Sequence, residues 1–315
     1  MPNFPRLFLL LAIAFGDEFP PLPDGFYSDV DEISLSAGHY HTCAIEARQG
    51  VEFGGSLKCW GYNSHGQSDP PPGIFVQVSS GHMHTCAVSI DETVQCWGVV
   101  STANVPKGLF TQVSSGEHHS CGILKDGSID CWGANNYGES DAKKAAGYFV
   151  QVTCGNSSTC ALRSNGIVEC WGKNFQGQGN PPDGVLFKQI SSSLNHHACG
   201  LEIEGRRIRC WGNNNRGQSE DRSPAGDDAS VVFEQVSTGA FSSCGVRSDK
   251  GIECWGASVP IPQDTNAGVH DHVYDQISLG SDHACGVKAE DGSLHCWNAG
   301  IDTGGSDVPH GFEVA

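Results

Sequence analysis

Fifteen cysteines and 14 histidines are the residues of this 315-residue chain with the most chemistry to offer. Thiols cross-link, attack carbonyls or hold soft metals, and imidazoles hold zinc and copper or move protons. Spacing decides among these uses. The cysteines recur as Cys43 and Cys59, Cys86 and Cys96, Cys121 and Cys131, Cys160 and Cys170, Cys199 and Cys210, Cys244 and Cys254, and Cys285 and Cys296. Four of these pairs are ten residues apart, two are eleven apart and the first is sixteen apart. That regular spacing lacks the Cys-x-x-Cys character of redox and zinc motifs.

The segment between paired cysteines reads as a hairpin. In Cys121-Gly-Ile-Leu-Lys-Asp-Gly-Ser-Ile-Asp-Cys131, apolar Ile123 and Ile129 alternate with polar or small neighbours, the period of a strand. Lys125-Asp-Gly127 supplies a three-residue loop, with Gly127 suited to a left-handed position. Folding there sets residue 124 opposite 128 and Cys121 opposite Cys131. Opposed residues in an antiparallel pair have Cβ atoms about 4.5–5.5 Å apart, near disulfide range. The sequence therefore predicts seven disulfides, one per hairpin. Cys154 is left over, where other copies have Ser80, Ser115 or Thr238. It reads as a buried free thiol in place of a hydroxyl, with no Lys, Arg or His from 153 to 162 to activate it.

Histidine stands two residues before the first cysteine of a pair at His41, His84, His119, His197 and His283; Ser158 and Ser242 fill the other two places. His39/His41, His82/His84 and His270/His272 form His-x-His pairs. On a strand such pairs share a face and can chelate, but no third ligand is near in sequence. No metal or other cofactor is assigned. Catalytic signatures are absent: there is no Gly-x-Ser-x-Gly, no His-Glu-x-x-His and no phosphate-cradling loop before a helix. The carboxylate pairs Asp29/Asp31 and Glu220/Asp221 read as solvated loop charge. Asn156-Ser-Ser158 is an N-glycosylation acceptor sequence, which would mark a solvent-facing edge.

The elements that position these residues are repeats. Each of the seven tryptophans, Trp60, Trp97, Trp132, Trp171, Trp211, Trp255 and Trp297, directly follows a cysteine, at spacings of 37, 35, 39, 40, 44 and 42. Upstream lies a β-branched segment such as Phe75-Val-Gln-Val-Ser-Ser-Gly81. Alternation puts Trp and Cys on opposite strand faces, so Trp is expected to pack blade against blade. An all-strand unit of about 40 residues cannot bury both faces alone, and four to eight such units close into a propeller. The predicted fold is all-β: one seven-bladed β-propeller over residues 17–315. Units 1, 3, 4 and 5 keep an Asn-x-x-Gly-(Gln/Glu) loop after Trp-Gly; units 2, 6 and 7 lose it. Units 5, 6 and 7 carry acidic or Pro-rich connectors (219–228 and 259–275), the first place to look for a partner.

Composition limits the setting. Eighteen Lys and Arg against 36 Asp and Glu give a net charge of −18, opposed to nucleic-acid binding, which needs cations to displace phosphate counterions. Residues 7–15 form a nine-residue apolar run after Arg6. That is too short to span a bilayer and suits a secretory signal peptide over residues 1–16. No later run reaches 18 apolar residues, so no membrane span is expected. Disulfides and a signal peptide together point to a secreted protein.

These repeats resemble the regulator of chromosome condensation repeat, whose unit runs Gly-x-x-His-(Ser/Thr)-x-Ala-Leu, Asp-Gly, and Trp-Gly-x-Asn-x-x-Gly-Gln. Here it appears as Gly81-His-Met-His84-Thr-Cys-Ala-Val88, and as Trp60-Gly-Tyr-Asn63-Ser-His-Gly66-Gln67, Trp171 to Gln178 and Trp211 to Gln218. The Cys-Trp-Gly variant is similar to the extracellular branch, which includes Crinkly-type receptor ectodomains and a secreted bacterial β-lactamase inhibitor. The resemblance implies a seven-bladed propeller in which the repeated His is structural. It implies no single function. The expectation is a secreted, monomeric, non-catalytic module recognising a protein or glycan. The alternatives are an inhibitor of a secreted hydrolase and an intracellular guanine-nucleotide exchange or chromatin factor. The acidic charge and paired cysteines oppose the last.

Overall fold

The computed structural model describes residues 35–47, 53–99, 105–141, 148–205, 207–224, 230–257, 273–298 and 308. The expected signal peptide (1–16), His270 and His272, residues 225–228 of the first acidic connector and 259–272 of the second lie outside them. Among the described residues, 21 strands form seven antiparallel units of three. The inner strands are β1 (Leu35–Ala37), β4 (Phe75–Ser80), β7 (Phe110–Ser115), β10 (Phe149–Cys154), β13 (Phe187–Ser192), β16 (Phe233–Thr238) and β19 (Tyr274–Leu279). The middle strands are β2 (His41–Ala47), β5 (His84–Ser89), β8 (His119–Leu124), β11 (Ser158–Arg163), β14 (His197–Glu202), β17 (Ser242–Arg247) and β20 (His283–Lys288). The outer strands are β3 (Gly55–Gly61), β6 (Val94–Gly98), β9 (Ile129–Gly133), β12 (Val168–Gly172), β15 (Ile208–Gly212), β18 (Ile252–Gly256) and β21 (Leu294–Asn298). A single pairing, Gly55 to Phe75, also joins the first two units into one six-stranded sheet.

Hairpin registers follow the loop arithmetic. Cys121 sits opposite Cys131, Leu124 N donates to Ser128 O, and Gly127 has a φ of 78°. The seven cysteine pairs, Cys43–Cys59 through Cys285–Cys296, are bonded across the middle and outer strands of their blades.

The hydrophobic core is divided into seven clusters, one at each blade-to-blade interface. In each, the disulfide side of one blade meets the Trp side of the next. Trp171 of blade 4 lies against Cys121 and Cys131 of blade 3, and Trp60 of blade 1 against Cys285 and Cys296 of blade 7. That last cluster closes the ring; Leu35, Ala44, Val287 and Val308 complete it. Glycine follows the first cysteine in blade 3 because the aromatic ring of the inner strand lies against it: a Cβ on Gly122 would meet Phe110 at 2.6 Å.

Two polar rings stitch the blades around a central cavity of about 600 Å³ lined by the inner strands. In the first, a hydroxyl on each inner strand accepts from a backbone N–H of a neighbouring blade. Ser36 takes Ser80 N, Ser79 takes Ser115 N, Ser114 takes Cys154 N and Thr153 takes Ser192 N, each at 2.9 Å. Ser191 takes Thr238 N, Ser237 takes Leu279 N, and Ser278 takes Ala37 N at 2.9 Å, returning to the start. In the second, the amide oxygens of Gln77, Gln112, Gln151, Gln189 and Gln235 accept from Val113, Val152, Ile190, Val236 and Ile277 N at 2.6–2.8 Å. Backbone donors that a ladder would satisfy are satisfied across blades instead.

Candidate binding face

Among the described residues, one end of the ring gathers two kinds of loop from blades 1 to 6. The turn from inner to middle strand carries the Gly-x-x-His segment, and the loop after Trp-Gly leaves the outer strand beside it. Backbone bonds tie them together: Tyr62 N to Tyr40 O, Val99 N to Met83 O, Ala134 N to His118 O, Lys173 N to Ser157 O, Asn213 N to His196 O and Ala257 N to Phe241 O, all 2.8–2.9 Å.

The Asn-x-x-Gly-Gln loops are rigid by their own hydrogen bonds. Asn63 Oδ1 accepts from Ser68 N and its amide donates to Asp69; Gln67 Oε1 accepts from His65 N. Gly66 takes a φ of 77°, the left-handed turn that closes the loop. The loop also reaches the next blade. Gln67 O accepts from Trp97 Nε1 at 2.9 Å and from the Thr85 hydroxyl at 3.0 Å. Glu139 O serves Trp171 and Thr159 in the same way, and Gln218 O serves Trp255 and Ser243; Gln178 O serves Trp211. Blades 2 and 6 lack the loop, and the tryptophans that follow, Trp132 and Trp297, have a buried Nε1 with no partner.

The repeated His lies beneath this face, between blades. His41 bonds Thr85, His84 bonds Ser120, His119 bonds Thr159, His197 bonds Ser243 and His283 bonds Thr42, all through Nε2 at 2.7–2.9 Å. Where Ser158 and Ser242 replace His, the residue it would meet in the next blade is Ala198 or Ala284. The two positions change together. The Thr85, Thr159 and Ser243 hydroxyls donate their single proton to a backbone carbonyl, so they accept from His Nε2. A catalytic base would accept from the hydroxyl, so these pairs are not nucleophile and base. Burial pulls the imidazoles of His41, His119 and His197 down to about 3 and that of His84 to about 4.

The face itself is aromatic. Tyr62, Tyr137, Phe175 and Phe241 stand exposed on it, Phe175 at 75%. Tyr137 and Phe175 meet edge-on at 5.8 Å, with the Lys173 ammonium 5.4 and 5.8 Å from their centroids. The Arg216 guanidinium lies 4.8 Å over Phe241. Sequence reading looked to the acidic connectors and missed this row. The signal was the aromatic at variable positions of otherwise constant loops: Tyr62, Tyr137 and Phe175.

The His-x-His pairs separate. His41 and His84 turn between blades, while His39 and His82 stay on the face with ring centroids 4.3 Å apart. The expectation that such a pair shares one strand face fails for His39/His41 and His82/His84, because His39 and His82 lie in the turn before the strand, where two-residue alternation does not hold. Cys154 is buried and free; burial pushes its thiol up to about 12, which leaves it protonated and unreactive. Asn156 is half-buried in a turn of the face. Glu220 and Asp221 pair with Arg222 and Arg209.

The geometry defines a closed, disulfide-bonded β-propeller whose loops gather on one face. Residues 110–139, 149–178 and 187–218 match the profile of the Regulator of chromosome condensation (RCC1) repeat. Similar solved structures include the CRINKLY WD40 ectodomain from the Arabidopsis thaliana receptor kinase ACR4. It is 24% identical, over 86% of this chain and 97% of that one, with a TM-score of 0.65. The entire ectodomain from the Physcomitrella patens receptor kinase CR4 is 22% identical over 84% and 72%, at 0.64. Yeast RCC1 (Prp20) bound to Kap60 is 16% identical over 99% and 90%, at 0.69. Three of its seven repeats match the RCC1 repeat, and its fold is that of the RCC1-like β-propellers.

Proposed function

We propose that the chain is a secreted module that binds a partner protein through its aromatic face. The observation that carries this is four aromatics exposed on one face: Tyr62, Tyr137 and Phe175 on loops held rigid by their own hydrogen bonds, and Phe241 on a neighbouring turn, with Tyr137, Phe175 and Phe241 beneath cations. Exposed aromatics beside Arg on a preorganised surface are the usual anchors of protein interfaces, and rigidity lowers the entropy cost of binding. Seven disulfides and likeness to two receptor ectodomains support an extracellular setting. Among the described residues no helix is long and apolar enough to cross a membrane.

The test compares wild-type protein with a Tyr137→Ala/Phe175→Ala variant as baits against the extracellular proteins of the source organism, with a glycan array in parallel. A protein captured by the wild type and lost with the variant supports the reading. Equal capture by both moves the interface elsewhere. A glycan bound in place of a protein replaces the protein reading with a sugar-binding one, since sugar rings stack on the same aromatics.

A further inference from the structure

Three consecutive blades bring metal-ligand side chains to one point on this face. The two variable positions of the Gly-x-x-His turn are His39 and Tyr40 in blade 1, His82 and Met83 in blade 2, and Glu117 and His118 in blade 3. In blade 4 they are Asn156 and Ser157; in blade 6, Ala240 and Phe241. Ring curvature sets the first three turns side by side. One ligand atom from each of His82, Glu117 and His118 lies within 4.8 Å of the others. His118 Nε2 is 3.8 Å from Glu117 Oε1, and the rings of His82 and His118 are 5.9 Å apart. His39 stacks on the other side of His82.

We propose that His82, Glu117 and His118 form a site for a divalent transition-metal ion, zinc foremost, with His39 as its wall. Two imidazoles and a carboxylate are a zinc donor set that leaves a fourth position open. Tetrahedral bonds of 2.0–2.1 Å separate ligand atoms by about 3.3 Å, so the trio must close by at most about 1.5 Å. His118 is 62% exposed and swings without disturbing the core. A second observation points the same way. His39 Nδ1 and His82 Nδ1 are buried with no hydrogen-bond partner, and a buried polar atom left unpaired is destabilising until something binds it. Desolvation and neighbouring imidazoles hold His39 at about 4 and His82 below its ordinary value, against the opposing pull of Glu117 on His82. His82, one half of a His-x-His pair, meets its co-ligands Glu117 and His118 on the neighbouring blade.

The test is calorimetric titration of the full, disulfide-intact protein with zinc chloride after chelator treatment, beside variants His82→Ala, Glu117→Gln and His118→Ala. His65→Ala on the same face is the control. The expected result is one equivalent of zinc, with affinity lowered about tenfold or more in each of the three variants and unchanged in His65→Ala. His118 and Glu117 lie in an exposed turn, so these variants should keep the wild-type melting temperature. No zinc bound in excess metal overturns the proposal, and so does zinc bound equally well by all three variants. The probe is the ion alone, so this outcome is independent of the partner reading.

Discussion

A hydroxyl has one proton to give, and at three interfaces that proton goes to the carbonyl of Gln67, Glu139 or Gln218. His41, His119 and His197 must then donate through Nε2, and protonating the other nitrogen would bury a charge. Their depressed values have a stability consequence. Unfolded, these histidines titrate near 6.5; folded, His41, His119 and His197 titrate at about 3 and His84 at about 4. Above pH 6.5 both states are neutral and stability is full. As pH falls toward 4 the unfolded chain takes up protons that the folded one refuses, and stability drops. By pH 5 each histidine should remove roughly 2 kcal/mol. Melting followed at pH 7, 6 and 5 should show a falling transition, with a shallower fall in His119→Gln. A transition flat across this range would contradict the buried neutral state.

At the scale of the loop, blades 1, 3, 4 and 5 reach forward and blades 2 and 6 do not. The consequence lies one blade downstream. Trp97, Trp171, Trp211 and Trp255 each donate to a loop carbonyl, whereas Trp132 and Trp297 have no acceptor. Trp→Phe in the first group deletes a hydrogen bond to the carbonyl of a buried residue, Gln67, Glu139, Gln178 or Gln218; in the second it removes an unsatisfied donor. Urea denaturation should show Trp97→Phe costing about 1 kcal/mol more than Trp132→Phe. Equal costs would mean the loop carbonyls do not stabilise the neighbouring blade. The hairpin, its register and the cysteine spacing were legible in the sequence because all are set within about ten residues. Partners 36–47 residues away were not, since every repeat offers the same hydroxyl. The paired changes Ser158 with Ala198 and Ser242 with Ala284 were the one written trace of the His contact, and reading each repeat alone passed over them. The aromatic and histidine groups were hidden for the same reason: each is assembled from residues that are unremarkable within their own repeat.

For the whole molecule, every cysteine is either paired or, in Cys154, buried. Fourteen cysteines are bonded and Cys154 is buried within the inner wall. Native protein treated with iodoacetamide should take up no label; denatured without reduction it should take up one, and reduced it should take up 15, read by intact mass. More than one label before reduction would mean that a blade is unstapled. The net charge of −18 spreads over this compact body, while Lys173 and Arg216 sit among the aromatics, so a partner meeting that face encounters cations on an otherwise anionic surface.

The bond from Ala37 N to Ser278 Oγ spans 241 residues. On a ribosome adding 5–20 residues per second, that interval lasts roughly 10–50 s. Through it, the apolar side of the first-made blade (Leu35, Ala44 and Trp60) waits without the blade that will cover it. The disulfides span only 10–16 residues, so each blade can be locked as it emerges. The chain thus matures in two tempos: local oxidation keeps pace with translation, and the final clasp comes only after the last blade is made. A folding helper that shields one exposed apolar patch near the N-terminus would be needed for that interval and for nothing later.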